Sequence, residues 1–450
     1  MQMGRCNCGI VLKKPEQIPA SAPALPAQPQ QKILPKFNPS TKLPPPPRAI
    51  AFAVNGQSYT IDDGDFSLSL NSFIRNTVGA KGTKHMCFQG GCGACVVLKT
   101  YEKNGKTVSV PVNSCLHPVG ACDGAEIHTV EGLAELGENF SGIPKMLAAA
   151  SGTQCGYCSP GMVMSGAALA AQSQASGASP TPLEVEQAFD GNICRCTGYR
   201  PILAAFKSFF SSEEIAKAQE LSAIHKEHRN ACLGCEGSRE FHDLEDIVRL
   251  MPALNIKKGV VTTTASSQER KQTLTQTQTQ KDSSKTPLTF VGADGSSYHR
   301  PLALADALAL MNAHGDDYKL LSGNTGKGVY PQLSSNYQGT VIDLSAVQEL
   351  QGLTLSETAL TVGAALSLNE LRAALRTHQS ASVTFGAAAD LLDRVANEPV
   401  RSLGTWAGNV SMVRLFEGFT SDVHTMLTGV GAYFTLVTAS DGSTSQVTPM

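Results

Sequence analysis

No apolar run in this 450-residue chain approaches the roughly 18–20 residues that a membrane-crossing helix needs. The opening residues, MQMGRCNCGIVLKKPEQ, hold no apolar core followed by a small-residue cleavage site, and too little arginine for a transit peptide. Neither a secretory signal nor an organelle address is read there. Charge is scarce as well: charged residues make up 16% of the chain and the net charge is −2. That leaves no global field to draw the protein to nucleic acid or to an anionic membrane. Apolar residues, at 42%, are slightly few for a wholly globular chain, which points to unstructured segments between folded ones. The expected setting is cytoplasmic. In a reducing compartment the 13 cysteines are expected to bind metal rather than to pair as disulfides.

The length allows about two to four domains. Residues 1–47, rich in proline, alanine and glutamine and ending in KLPPPPRA, read as a disordered tail that cannot bury enough apolar surface to offset its ordering entropy. A fold begins at AIAFAVNGQSYTID, where alternating apolar residues flank Asn55-Gly56 and predict a β-hairpin. ACVVLKTYEKNGKTVSVPVNSC predicts a second, turning at Asn104-Gly105. After Val130 the apolar spacing becomes helical in IPKMLAAASGTQ, GMVMSGAALAAQSQ, PTPLEVEQAFDG and GYRPILAAFKSFFSS. Pro182 near the start of the third segment and Gly191 just past its end punctuate it as a helix. Residues 223–286, with TLTQTQTQKDSSK at their centre, read as a low-complexity linker. Beyond it, strand and helix patterns alternate through YKLLSG, GTVIDLS and SLNELRAALRT, an α+β domain over 287–450. No internal repeat is evident.

The chemistry is concentrated in the cysteines. Cys87, Cys92 and Cys95 lie in CFQGGCGAC, and Cys115 follows at the end of the second hairpin. This C-x4-C-x2-C…C spacing is that of plant-type ferredoxins, in which four thiolates hold a 2Fe–2S cluster. A loop that must fold around inorganic sulfide needs glycine, both for unusual dihedrals and to bring backbone N–H groups up to the sulfurs. The alternative is a zinc site or buried free thiols, but zinc sites favour facing C-x2-C pairs. A second set, Cys155 and Cys158 in TQCGYCSPG with Cys194 and Cys196 in NICRCTG, sits where predicted helices begin and end. By itself this set is compatible with zinc as well as iron. Next to a ferredoxin loop it points to a second iron–sulfur centre. Cys122 reads as an ordinary buried thiol, Cys6 and Cys8 fall in the expected tail, and Cys232 and Cys235 form a linker pair, either inert or a redox-sensitive disulfide.

Together, CFQGGCGACVV, CLHPVGACDGAEIHTVEGL, TQCGYCSPGMVMSGAALA and AFDGNICRCTGYRPIL resemble the N-terminal region of the molybdenum hydroxylases, the family of xanthine dehydrogenase and aldehyde oxidase. The resemblance is nearly continuous from residue 48 to about residue 215. It implies a multidomain α+β chain: a β-grasp ferredoxin domain over 48–132, then an all-α four-helix domain over 138–222, each with one 2Fe–2S cluster. It assigns Cys87, Cys92, Cys95 and Cys115 to one cluster. Cys155, Cys158, Cys194 and Cys196 go to the other, the one placed nearest the molybdopterin, with Gln154 set against that pterin.

KLLSGNTGKGVYP, Lys319 to Pro331, is a strand running into a glycine-rich loop, a form that can offer backbone N–H groups to phosphate. Its spacing is neither that of a P-loop nor a Rossmann G-x-G-x-x-G, and alone it reads better as a plain surface turn. In the context of the family it is similar to the loop that cradles the FAD diphosphate, and VRSLGTWAGNVSM to the second flavin loop. The resemblance carries over Leu320, Leu321, Ser322, Gly323, Asn324, Thr325 and Gly328 from the first loop. From the second region it carries over Gly404, Thr405, Gly408, Asn409, Ser421 and Asp422. The pattern departs at Gly326, where an acidic residue is usual, at Ala407, usually glycine, and at Pro399, usually glutamine. The domain so implied is a PCMH-type FAD-binding domain, incomplete at its C-terminal end.

No residue here matches the family's substrate pocket. The reading implied is an electron-transfer segment, passing electrons from a molybdopterin-binding domain or subunit through two clusters to FAD and then to NAD+ or O2. A homodimer of the complete enzyme is implied as well. The alternatives are a flavin-free iron–sulfur carrier whose last domain is an interaction module, and a structural zinc protein.

Overall fold

The computed structural model of the chain describes residues 5–13, 45–210, 286–330, 339–357 and 359–448. Cys232, Cys235 and linker residues 223–285 lie outside them. The first strand, β1 (Arg5–Lys13), finds its partners near the other end of the chain. A five-stranded sheet follows, built from β2 (Ile50–Val54), β3 (Gln57–Ile61), β4 (Val96–Lys103), β5 (Lys106–Asn113) and β6 (Glu126–His128) in the order β3-β2-β6-β4-β5. Both expected hairpins form. Asn55 and Gly56 have φ of 50° and 76°, Asn104 and Gly105 of 52° and 72°, the left-handed turn whose twist matches the strands on either side. A short helix, α1 (Leu70–Phe73), lies over the sheet, and Leu70 and Phe73 pack with Phe52, Val97 and Val112.

The helical unit contains α2 (Glu138–Ala149), α3 (Ser159–Ser176), α4 (Pro182–Ala188) and α5 (Arg200–Phe210). The third begins at a capping box: the Glu184 amide donates to the Thr181 hydroxyl, and the Thr181 amide donates to the Glu184 carboxylate. The rich alanine and glycine content of α3 lets it run through the middle, with Met162, Ala167 and Ala168 buried against Ile143, Phe189 and Phe206.

In the C-terminal region β7 (Leu288–Val291), β8 (Ser297–Arg300), β9 (Tyr318–Leu321) and β10 (Thr340–Asp343) form a sheet in the order β7-β8-β10-β9, flanked by α6 (Leu304–His314). A further sheet takes β11 (Leu353–Leu355), β12 (Ala359–Gly363), β13 (Tyr433–Thr438) and β14 (Thr444–Val447). Its helices are α7 (Leu368–Thr377), α8 (Val383–Leu392), α9 (Glu398–Leu403), α10 (Trp406–Leu415) and α11 (Asp422–Gly429). β1 lies at the centre of this sheet, antiparallel to β12 and to β13, with Ile10 opposite Val362 and Phe434. The expectation of a wholly disordered tail over residues 1–47 is corrected here. GIVL has the β-branched and apolar content of a strand, and pairing on both edges satisfies its backbone groups. The register shifts between Asn7 and Gly9, so Cys8 falls at the irregularity.

The β2–β6 sheet and the β7–β10 sheet share one core. Phe66 packs on Phe290 and Tyr298, with ring centroids 6.4 and 5.4 Å apart, and Leu288, Leu321 and Val341 join the same buried cluster. Beside it the Asp123 carboxylate, fully buried, accepts from Arg48 at 2.9 and 2.8 Å, from Arg300 at 2.7 Å and from the Ala51 amide at 3.0 Å. Two segments that the sequence presents as separate domains are thus joined by a continuous apolar core and a buried ion pair. Among the described residues no helix is long and apolar enough to cross a membrane.

Candidate redox-cofactor sites

The glycine-rich loop follows the α1 region and leads into β4. Its thiols stand in two pairs, Cys87 within hydrogen-bonding reach of Cys92 and Cys95 of Cys115. Burial pushes the Cys87 thiol up, but the amides of Gln89, Gly91 and Cys92 and the Cys92 side chain outweigh it and leave its pKa lowered; the Gln89 N–H lies 3.3 Å from the sulfur. Cys92, where burial dominates, is raised. Cys95 is lowered by its bond with Cys115, and Cys115 is raised by the same bond. One thiol of each pair thus ionises early and the other late, through burial and the hydrogen bond that the two share, with repulsion between the thiolates a smaller contribution. A cation set between them removes that penalty.

The second set is arranged likewise. Cys155 pairs with Cys196 at the surface, and Cys158 pairs with the buried Cys194, whose sulfur also lies 3.2 Å from the Thr197 hydroxyl. Cys155 and Cys194 are lowered, while Cys196 and Cys158 are raised, the latter to about 12 chiefly by burial. Among the described residues no three ligating side chains converge on a single-ion position. Two pairs of thiols, each served by backbone amides, suit a two-iron cluster, in which each iron takes two cysteines. On the donor chemistry, the residues fit the group. Gln154 is exposed beside Cys155, and Cys122, its thiol pushed up to about 12 by burial, stands apart from both sets.

The two cysteine loops touch. The Ile193 amide, next to Cys194, donates to the carbonyl of Cys92 at 2.9 Å, and Asn192 Nδ2 donates to the Gly93 carbonyl at 3.3 Å. The approach requires glycine on both sides. A Cβ on Gly93 (φ 66°) would stand 2.4 Å from the Gly191 carbonyl oxygen, and one on Gly161 would stand 2.1 Å from the Gly93 carbonyl oxygen.

The two expected flavin loops also meet. Gly323 packs so close that a Cβ there would lie 2.1 Å from Leu403 O, and a Cβ on Gly404 would lie 2.8 Å from the Thr325 hydroxyl. Thr405 caps α10 by accepting from the Gly408 amide at 3.0 Å, and Ser421 caps α11 while donating to Asn409 Oδ1 at 2.5 Å. Asp422 is exposed at the start of α11, the Leu320 side chain is partly exposed, and Leu321 is buried in the shared core. Ser322, Gly323 and Thr405 line a cavity of about 500 Å³ shared with Lys99, His117 and Arg300. The cradle of small residues and amides fits an anionic cofactor. The first loop also lies on the ferredoxin-type cysteine loop: a Cβ on Gly328 would stand 2.3 Å from Gln89 O.

Sequence reasoning missed what joins these parts. Asn397 caps α9, and its Nδ2 donates to the Gly90 carbonyl at 2.9 Å. The fully buried Arg401 pairs with Asp190 at 2.5 Å and Glu398 at 3.3 Å, and the Glu398 amide donates to the other Asp190 oxygen. Tyr330 stacks on Phe416, centroids 3.7 Å apart, across the two flavin loops. No local pattern signals such pairs, whose members stand up to 307 residues apart.

Comparison with known proteins follows this division. Residues 129–207 match a family described as "[2Fe-2S] binding domain", and residues 292–448 match "FAD binding domain in molybdopterin dehydrogenase". The chain is 31% identical to xanthine dehydrogenase of Drosophila subobscura over 89% of its own length and 28% of that protein's. It is 32% identical to abscisic-aldehyde oxidase of Arabidopsis thaliana, over 85% of its length and 27% of that protein's. The chain thus spans little more than a quarter of the curated relatives it matches. A solved structure of quinoline 2-oxidoreductase from Pseudomonas putida 86, 30% identical, aligns with 38% of this chain and 94% of that one at a TM-score of 0.29.

Proposed function

We propose that this chain, a member of the molybdenum hydroxylase family, is the electron-relay portion of an oxidoreductase, carrying two 2Fe–2S clusters and FAD. In this reading the first sheet is a β-grasp ferredoxin domain, the helical unit a four-helix cluster domain, and the C-terminal region a PCMH-type flavin domain. The observation that carries the proposal is the order of contacts. The loop of Cys194 bonds to Cys92, and the loop of Cys87 and Cys92 lies against Asn324–Gly328 of the flavin cradle.

When bound, the clusters would supply one-electron steps and the flavin a two-electron terminus. The protein's part is placement. Cys155, Cys158, Cys194 and Cys196 hold the entry centre, with the exposed Gln154, Cys155 and Cys196 open to the side from which electrons arrive. Tyr157, Ile193 and Tyr199, all partly exposed, surround them and suit docking of a molybdopterin-binding domain or subunit. Cys87, Cys92, Cys95 and Cys115 hold the second centre, buried except near Cys87. The interlocked glycines at 323 and 404 offer backbone to the flavin diphosphate. NAD+ or O2 would accept the electrons, in a cytoplasmic enzyme that dimerises when complete.

The test is metal and flavin analysis of the chain purified without oxygen, with absorption and EPR spectra. About four irons per chain, two for each of two clusters, with bound flavin and two EPR signals on reduction, is the expected result. Zinc without iron overturns the reading. Four irons without flavin leave an iron–sulfur carrier and remove the flavin terminus.

A further inference from the structure

Two asparagines of the flavin region hold backbone carbonyls of the ferredoxin-type cysteine loop. Asn324 has left-handed backbone (φ 59°, ψ 17°), and its Nδ2 donates at 2.7 Å to the carbonyl of Leu116, the residue after Cys115. Asn397 accepts from the Val400 amide with its oxygen and donates with its nitrogen to Gly90 O, between Cys87 and Cys92. The same side chain presses on the helical unit, where a Cβ on Gly191 would lie 2.9 Å from Asn397 Cγ.

The asparagines sit on the two segments that form the flavin cradle. Asn324 opens the turn Thr325–Gly328, and Asn397 opens α9, whose last residue, Leu403, packs on Gly323. Each donor therefore fixes one flavin loop to one side of the thiol set, at Gly90 and at Leu116. The Gly90 carbonyl is held a second time by Asn113 Nδ2 at 3.1 Å, so the Asn397 bond acts on a loop already braced from its own domain.

We infer that Asn324 and Asn397 form a two-point clamp setting the separation and coupling of the flavin cradle and the ferredoxin-type cluster. They are positioning residues, and the side chain of Asn324 serves the cluster loop rather than the flavin. The inference rests on the relay reading. An amide donor is what both positions require. Aspartate keeps the shape of each side chain, the tolerance for left-handed backbone at 324 and the capping oxygen at 397, but it cannot donate to a carbonyl.

The experiment compares Asn324→Asp, Asn397→Asp and the double variant with the parent chain, with Asn397→Ser as a second variant that caps α9 without reaching Gly90. Iron and flavin contents are measured, then the EPR signal of the ferredoxin-type cluster, then the rate at which flash-reduced clusters pass electrons to flavin. The expected result is unchanged iron, an altered EPR line shape for that cluster alone, and, in the flavin-loaded fraction, transfer slowed on the order of tenfold or more, as ångström-scale misplacement gives. The double variant should be slower than either single one. Parent-like transfer and EPR in the double variant overturn the clamp. Loss of flavin on Asn324→Asp with an unchanged EPR signal overturns the assignment of Asn324. If the parent itself holds no flavin, the relay reading fails, while the clamp is still decided by the EPR line shape and by hydrogen exchange at the Gly91 and Cys92 amides. Faster exchange in the variants supports the clamp, and equal exchange refutes it.

Discussion

Replacing Asp123 with asparagine tests whether the β2–β6 sheet and the β7–β10 sheet form one rigid body. The carboxylate is wholly buried and accepts four hydrogen bonds, two from Arg48, one from Arg300 and one from the Ala51 amide. Asparagine keeps the volume and one acceptor but removes the charge that pairs with the Arg300 guanidinium, 8% exposed. Breaking a buried pair from one side costs about 3–5 kcal/mol. Arg48, 32% exposed, can recover some hydration, so the low end, about 3 kcal/mol, is expected. For a unit of 150–250 residues this lowers the melting midpoint by about 6–12 °C. Burial raises the Asp123 pKa, but the Arg48 bonds, the Arg300 charge and the Ala51 amide outweigh it, and the pKa lies below the ordinary 3.8. A depressed carboxylate stabilises the fold fully above its unfolded pKa and loses that contribution as pH falls through the folded value. The deficit of the variant should therefore be constant from neutrality to about pH 4 and shrink below it. Thermal melts of the cofactor-loaded chain, followed by cluster absorption and by far-UV circular dichroism, read both effects. A midpoint shift under about 2 °C at pH 7, or a deficit that does not narrow in acid, would show that the Asp123 charge does not hold the two sheets together.

Arg401→Gln should destabilise the chain by about 3 kcal/mol, since it strips the charge partner from Asp190 and Glu398 in a fully buried position; denaturant unfolding checks it. Cys196→Ser should leave about two irons per chain, whereas Cys122→Ser should leave iron and flavin at parent levels, because Cys122 stands outside both thiol sets. Iron analysis of the two variants decides. Gly323→Ala, which forces a methyl to within 2.1 Å of Leu403 O at φ 77°, should abolish flavin binding with iron unchanged, read from the visible spectrum.

Much of this was legible in local pattern. Asn55-Gly56 and Asn104-Gly105 announce their hairpins because a primed turn needs left-handed dihedrals at both positions. Pro182 marks a helix start because its missing N–H is one the first turn leaves unpaired anyway. The cysteine spacings point to clusters because a short loop around sulfide leaves few alternatives. Strand β1 was not legible, since a tail dominated by proline hides nine residues of β character whose partners lie some 350 positions or more away. Nor was the shared core, because Phe66, Phe290 and Tyr298 each look like the interior of their own domain. Asn397, Asp190 and Arg401 are ordinary polar residues until the fold brings them together.

The contact between the two cysteine loops makes the sharpest demand on the fold. Gly161 lies three residues after Cys158, Gly93 lies between Cys92 and Cys95, and the two come so close that any side chain on Gly161 meets the Gly93 carbonyl at 2.1 Å. That obstacle is backbone, so it cannot rotate aside. In Gly161→Ala either α3 or the Cys92–Cys95 loop must retreat by roughly 1 Å to restore an ordinary carbon–oxygen contact. The Cys92 O–Ile193 N bond, now 2.9 Å, spans the same gap, and such bonds weaken steeply once stretched beyond about 3.5 Å. No thiol pair joins a cysteine of one set to a cysteine of the other, so both clusters should still assemble, with about four irons per chain. Their magnetic interaction in the fully reduced protein should weaken, and the splitting of the EPR signals should narrow or vanish. Gly161→Ala with full iron content and unchanged splitting would show that the loops are not held at this distance by the glycine contact. The order of transfer read from their touching would then lose its basis.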